Sequence, residues 1–379
     1  MTHSTFPRPD ASGNPSVQSR MSGRRVPAAQ RRALLGGASA GLVGLTLMPY
    51  RANASEPKVL NFLNWDTYIG KTTLADFRKA TGINVRMSLF ADNDELFARF
   101  KAGNPGFDVI MPTNDYVERM IKADMLMPLD HSRIPNIKNI TPSFMKDAPF
   151  DPGRKFSLPY MWGTIGVGYR KSKVKGAIDS WQPLLDSGQY TRRIALMGAS
   201  QYVLGAALKY LGHSWNSVDP AEIRRAEQLL IAQKKHIKVF ADDNGQDLLA
   251  SGEVDLVQEW NGDILQTMEE DKDIAYQVPK EGSNLWQDCI AIPKGAPHPQ
   301  NAHAFINFVN EGAIAADIAR EVKYATPNEA AKKLLPQSYL KNPAIFPPQS
   351  VLDKCESSQY LGEAATRLRD EAWSRVQAA

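Results

Sequence analysis

From Lys58 onward, short apolar runs alternate with amphipathic stretches. Lys58-Val59-Leu60-Asn61-Phe62-Leu63 reads as a short strand. Thr72 to Thr81 follows with Leu74 and Phe77 on one helical face, and Gly82 stands where a C-cap belongs. The pattern then predicts a strand over 83–90 and a helix over 93–102 closed by Gly103. Next come a strand over 107–111 ended by Pro112 and a helix over 116–123. Strands alternating with helices imply an α/β layer with a mainly parallel sheet. Ligands bind such sheets beyond the carboxyl ends of strands. Residues 64–68 and 112–116 occupy those places, and both segments carry aromatic and acidic side chains.

A second unit with the same logic follows. Trp162 to Tyr169 is a glycine-interleaved strand, Arg193 to Met197 another, and a helix covers about Gln201 to Leu211. Asp219-Pro220 has the residue types of an N-cap and first turn, opening a long amphipathic helix through about Lys235. A short strand at Val239-Phe240, a helix over 247–251 and a strand over 254–259 come next. Trp260-Asn261-Gly262-Asp263 reads as a loop. Further runs at 274–278 and 289–293 precede a helix over 299–311. The tail from about Tyr324 reads as helices broken by Pro327, Pro336, Pro343 and Pro347-Pro348.

The head of the chain differs in kind. Residues 1–30 are polar and read as disordered. Arg31-Arg32 precedes an apolar stretch from Ala33 to Met48, and Ala52-Asn53-Ala54 is a small-x-small site. That order predicts a cleaved, Tat-like export signal ending at Ala54, and a periplasmic destination. The stretch is short and glycine-rich for a bilayer span of ~20 residues. Removing it leaves 325 residues, enough for two domains. It also changes the charge. The full chain is +4, but the first 54 residues carry seven Arg and one Asp, so the remainder is near −2. The basic balance therefore gives no reason to expect nucleic acid or an anionic membrane as a partner. Cys289 and Cys355, the only cysteines, either pair in an oxidising compartment or stay buried thiols.

Aromatic, amide and acidic residues recur together at loop positions. They do so at Trp65-Asp66-Tyr68, Asn114-Asp115-Tyr116, Glu259-Trp260-Asn261 and Trp286-Asp288. Ring faces attract cations, and carboxylates add charge-assisted hydrogen bonds, so a pocket built from these groups suits an organic ammonium. Enzymatic signatures are missing. The sequence has no GxSxG elbow, HExxH or paired CxxC. Gly163-Thr164-Ile165-Gly166-Val167-Gly168 reads as a strand rather than a phosphate cradle. No catalytic group, cofactor or metal is expected.

The residues that follow carry a resemblance. They are Phe62-Leu63-Asn64-Trp65-Asp66-Thr67-Tyr68, Phe107-Asp108-Val109-Ile110-Met111-Pro112, Leu158-Pro159-Tyr160-Met161-Trp162-Gly163, Trp260-Asn261-Gly262, Trp286-Gln287-Asp288 and Tyr324-Ala325-Thr326-Pro327-Asn328. In this order they resemble the periplasmic spermidine/putrescine-binding proteins of ABC transporters. The resemblance implies a two-lobed α/β fold, each lobe a mostly parallel sheet flanked by helices, with the ligand cleft between. The lobes would be residues 55–164 plus about 288–332, and about 165–287 plus 333–379. It implies capture of a polyamine or related small organic cation by hinge closure, by a monomer that delivers it to an inner-membrane permease. Trp65, Tyr68, Trp260, Trp286 and Tyr324 match aromatic positions around the ligand. Asp288 matches an amine-holding carboxylate, and Thr113 a rim serine. The chain departs where the family's loop before the helix near Gln201 supplies two carboxylates, because Ala199 and Tyr202 stand there. Asp66 and Asp115 stand where relatives carry neutral residues. These three, Asp66, Asp115 and Tyr202, complete the expected contact set. Two alternatives remain on these residues: a binder of a monoamine, betaine or amino-acid derivative, and an exported hydrolase or isomerase on the same scaffold.

Overall fold

The computed structural model describes residues 56–146, 148–176 and 178–379. The twin arginine, the apolar stretch and the small-x-small site lie outside the described residues.

Strand β1 (Val59–Asn64) centres the first half. It pairs in parallel with β2 (Asn84–Leu89) on one side and β3 (Val109–Ile110) on the other. The connecting helices are Thr73–Thr81, Asn93–Phe100 and Asn114–Lys122. Their ends follow from local chemistry. Gly82 takes a left-handed φ of 74° and its N–H returns to the Arg78 carbonyl. Asp92 caps the second helix by accepting from the Glu95 N–H at 2.7 Å.

Strand β4 (Ser157–Arg170) links the halves. Its residues 157–164 run antiparallel to β9 (Leu285–Ala291), which also bridges to β3. From Ile165 it runs antiparallel to β7 (Leu256–Trp260), and from Val167 also to β8 (Ile274–Gln277). Beyond β7 lie β5 (Ile194–Met197) and β6 (Ile237–Ala241), both in parallel register. The strand order is β2-β1-β3-β9-β4-β7-β5-β6, with β8 on β4. Each lobe is thus a three-stranded parallel layer, and antiparallel strands join the two. Helices Ser200–Tyr210 and Pro220–Lys234 cover the second layer. The latter is capped by Asp219 accepting from Ala221 at 2.7 Å.

The stretch read as a loop at 260–263 is instead the start of a helix, Asn261–Glu270, with Trp260 as its N-cap residue. Asp263 sits in its first turn, where a carboxylate faces the positive end of the helix dipole. A second helix absent from the sequence reading, Gly312–Val322, ends at Lys323 in left-handed conformation. Its apolar face of Ala315, Ile318, Ala319 and Val322 is buried. Cys289 and Cys355 are both free thiols. Among the described residues no helix is long and apolar enough to cross a membrane.

Glycine 205 shows how tightly the second lobe packs. A Cβ there would meet Trp215 Cε2 at 2.3 Å, and Trp215 is almost fully buried. Gly205→Ala is therefore expected to destabilise the protein by about 1–3 kcal/mol despite alanine's better helix propensity. Urea denaturation of the two proteins checks this. An unchanged midpoint would contradict the packing argument.

Candidate ligand cleft

The ends of these strands converge on one cavity. Its empty volume, mouth included, is about 330 Å³. Trp65, Asp66 and Tyr68 follow β1, and Thr113 follows β3. Asp243 follows β6, while Trp260 ends β7 and Asp263 lies one helical turn later. Trp286 and Asp288 come from β9, and Tyr324 from the turn after helix Gly312–Val322. An isolated bridge between Thr113 and Asp288 holds β9 against the β3 loop.

The aromatic wall is a run of edge-to-face contacts. Trp260 meets Trp286 at 5.6 Å, Trp286 meets Tyr324 at 4.9 Å, and Tyr324 meets Tyr68 at 5.4 Å. Trp65 stands apart, packed on Phe90 at 4.3 Å, with its indole N–H donating to the Met111 carbonyl at 2.9 Å. Two glycines make the close approach possible. A Cβ at Gly262 would lie 2.4 Å from the Tyr324 ring, and one at Gly163 would lie 2.7 Å from Trp286.

The acids are concentrated and uncompensated. Asp243, Glu259 and Asp263 each bring a carboxylate oxygen within 4.8 Å of the others. Among the described residues, no ion pair involves these three, Asp66 or Asp288. Burial raises all three of the cluster above the usual carboxylate range, and repulsion from neighbouring carboxylates adds to it: from Asp66 and Asp92 on Asp243, and from within the cluster on Glu259 and Asp263. Burial also pushes Asp288 up to about 8, against the lowering influence of the nearby Tyr68 hydroxyl. Asp288 Oδ1, the Tyr68 hydroxyl and Trp286 Nε1 are buried without a hydrogen-bond partner. Unpaired buried polar atoms are costly and mark a place built for a bound group. A bare divalent cation would want six to eight oxygens (for calcium). The walls here offer ring faces instead, which suit an organic ammonium with a methylene stem.

Eight of the residues singled out from the sequence line this cavity: Trp65, Asp66, Tyr68, Thr113, Trp260, Trp286, Asp288 and Tyr324. Two do not. Asp115 accepts from the Thr113 hydroxyl at 2.6 Å and borders a different hollow, and burial pushes it up to about 6. Tyr202 packs edge-on behind Trp260 at 4.9 Å, so it backs the wall rather than facing the cavity. Glu259 is 2% exposed, and its Oε1 accepts from the Trp260 N–H. Asp243 and Asp263 are the lining residues the sequence reading missed. A helical start at Asn261 would have signalled Asp263, because i+3 spacing returns it to the side of Trp260. Asp243 carries only a positional signal, directly after a strand.

Residues 72–347 match the family described as bacterial extracellular solute-binding protein. Over 343 residues the chain is 34% identical to the putrescine-binding periplasmic protein SpuD of Pseudomonas aeruginosa, covering 86% of this chain and 93% of that one. Over 356 residues it is 32% identical to the putrescine-binding periplasmic protein PotF of Escherichia coli, covering 89% and 96%. Among solved structures, the spermidine/putrescine ABC transporter substrate-binding protein PotD of Streptococcus pneumoniae aligns with a TM-score of 0.73 and 32% identity. That alignment covers 85% of this chain and 99% of PotD. Agreement on this scale, reaching across both parallel layers and the strands that join them, means that the chain belongs to the bacterial extracellular solute-binding protein family.

Proposed function

We propose that the protein captures a linear polyamine of the putrescine–spermidine class in the periplasm and delivers it to an ABC-transporter permease in the inner membrane. One observation carries this reading: a cage of Trp and Tyr rings is closed by the buried carboxylate of Asp288 and the half-buried ones of Asp243 and Asp263, which no protein cation neutralises. Methylene groups gain about 0.8 kcal/mol each from leaving water. Ammonium groups gain from ring faces and from charge-assisted hydrogen bonds to the acids. Several acids in one cavity favour a multiply charged ligand over a betaine, which brings its own carboxylate. The names of the relatives supply the same chemical class.

Capture works by closure rather than chemistry. The two lobes, with crossings near 164/165 in β4 and beside β9, rotate about those strands. Ligand favours the closed form, in which both walls reach it. Calorimetric titration with putrescine, spermidine, glycine betaine and 1,4-butanediol tests the reading, followed by small-angle scattering of the saturated protein. The amines should bind and compact the protein. The diol, equal in length to putrescine but uncharged, should give no heat. Equal affinity for diol and diamine, or no compaction on saturation, would contradict the proposal.

A further inference from the structure

Residues 356–362 form a strap that starts and ends in the second lobe yet touches the first. Just before it, Val351 and Cys355 pack on the second-lobe cluster of Ala195, Val257 and Ile264. Just after it, helix Glu363–Ala378 sets Trp373 on Phe240 of β6, with ring centres 4.8 Å apart. Arg375 of that helix donates to Glu227 of helix Pro220–Lys234 at 2.7 Å. The strap is rooted in the same lobe by Glu356, which accepts from Lys209 Nζ at 2.9 Å and from the Trp215 N–H at 3.1 Å. Asn216 holds it again, donating to the Ser357 carbonyl at 2.9 Å.

Its contacts with the first lobe run along helix Asn114–Lys122. Asn114 Nδ2 donates to the Ser358 carbonyl at 2.7 Å. Lys122 Nζ stands 4.9 Å from the Tyr360 ring centre, and the Arg119 guanidinium 5.9 Å. Arg119 Nε also lies 3.9 Å from Glu363. Two hollows flank the strap, with empty volumes of about 500 and 1560 Å³, and Gln359 and Tyr360 border both. The strap therefore crosses open space between the lobes.

Resting on closure around a polyamine as described above, we propose that Tyr360 and Glu363 latch onto Arg119 and Lys122 when the lobes close, so that contacts remote from the ligand set part of its affinity. None of these four residues lines the ligand cavity. Asn114 lies near the pivot, because its Oδ1 accepts from the Gln287 N–H of β9 at 3.3 Å. Lys122 is two turns further on, about 12 Å along the helix axis, so a rotation about β4 and β9 displaces it more. Opening parts both cations from Tyr360 without stranding them. Lys122 keeps Glu118 at 2.7 Å, and Arg119 keeps Asp94 at 3.3 Å. The latch contacts thus favour the closed form alone, and any ligand that needs closure gains from them.

Calorimetric titration and stopped-flow fluorescence of the mature protein with putrescine and spermidine test the latch. Tyr360→Ala should weaken both amines by the same factor, ~3- to 10-fold, through faster dissociation. Tyr360→Phe keeps the ring and should stay within about twofold of wild type. Lys122→Gln changes an exposed residue on the other side of the contact and should weaken both amines by ~2- to 5-fold. None of the three should lower the melting temperature of the ligand-free protein, because the open form does not make the contact. A side chain that merely held the fold together would lower it. Unchanged affinity in Tyr360→Ala and Lys122→Gln, losses that differ between the two amines, or a ligand-free melting temperature that falls with affinity would overturn the latch and leave the polyamine reading standing. Failure of both amines to bind wild type would overturn the polyamine reading itself, and this inference with it.

Discussion

Replacing Asp288 with Asn should weaken polyamine binding by about 30- to 4000-fold, while making the ligand-free protein more stable at pH 8. Asp288 is buried, one of its oxygens has no hydrogen-bond partner, and no basic side chain pairs with it. A bound ammonium would be its counter-ion. Removing one member of a buried, hydrogen-bonded charge pair typically costs about 2–5 kcal/mol. The same carboxylate is a burden without ligand, because its ionised form is poorly solvated, and an amide of equal size carries no such charge. Affinity and ligand-free stability therefore move in opposite directions. A substitution that merely damaged the fold would lower both. Calorimetry with putrescine and melting curves at pH 8 measure the two quantities. Unchanged affinity would remove Asp288 from the amine site.

Binding should also release protons, and affinity should rise as pH increases from 6 to 8, by up to about tenfold per pH unit for each proton released. The direction follows from the acids. Burial pushes Asp288 up to about 8 and holds Asp243, Glu259 and Asp263 above the usual carboxylate range. Near neutrality the ligand-free cleft therefore holds protons. An arriving ammonium favours the ionised carboxylates and displaces them, so high proton concentration opposes binding. Ligand-free stability runs the other way. An acid whose folded pKa is raised contributes stability that is fully present below its unfolded value, near 4. That contribution is lost as pH climbs through the folded value, here near 8 for Asp288. The gap between ligand-bound and ligand-free melting temperatures should thus widen from pH 6 to pH 8. Titrations in buffers of differing ionisation enthalpy count the protons released, and Asp288→Asn should lower that count. A pH-independent affinity across the range would contradict this account.

Much of the local structure is legible in the residues themselves. Gly82 after Phe77 and Asp219 before Pro220 mark helix ends, because capping chemistry involves residues only a few positions apart. The same holds for most of the aromatic wall. Trp65, Tyr68 and Trp260 sit at or just past strand ends, which in a parallel layer is where a cleft opens. The reading is weakest where a side chain's direction depends on helical phase. Asp115 lies two residues after Thr113, in the first turn of a helix, and that step turns it away from the cavity into a neighbouring hollow. Tyr202 fails for a related reason: its helix places the ring against the back of Trp260.

Sequence alone therefore determined the alternation of strands and helices, their caps, the excess of acid over base after residue 54, and the identity of most ring-bearing residues at strand ends. Each of these depends on periodicity or on neighbours within one turn. Tertiary structure alone decided that Asp243, Glu259 and Asp263 meet within 4.8 Å, and that Asp288 faces the cavity of Asp243 and Asp263 from the joining strand β9. Those meetings depend on β6 lying beyond β5 and β7, and on β4 and β9 carrying the chain between two layers. Such long-range order comes from burying whole faces together, and no local run of residues encodes it.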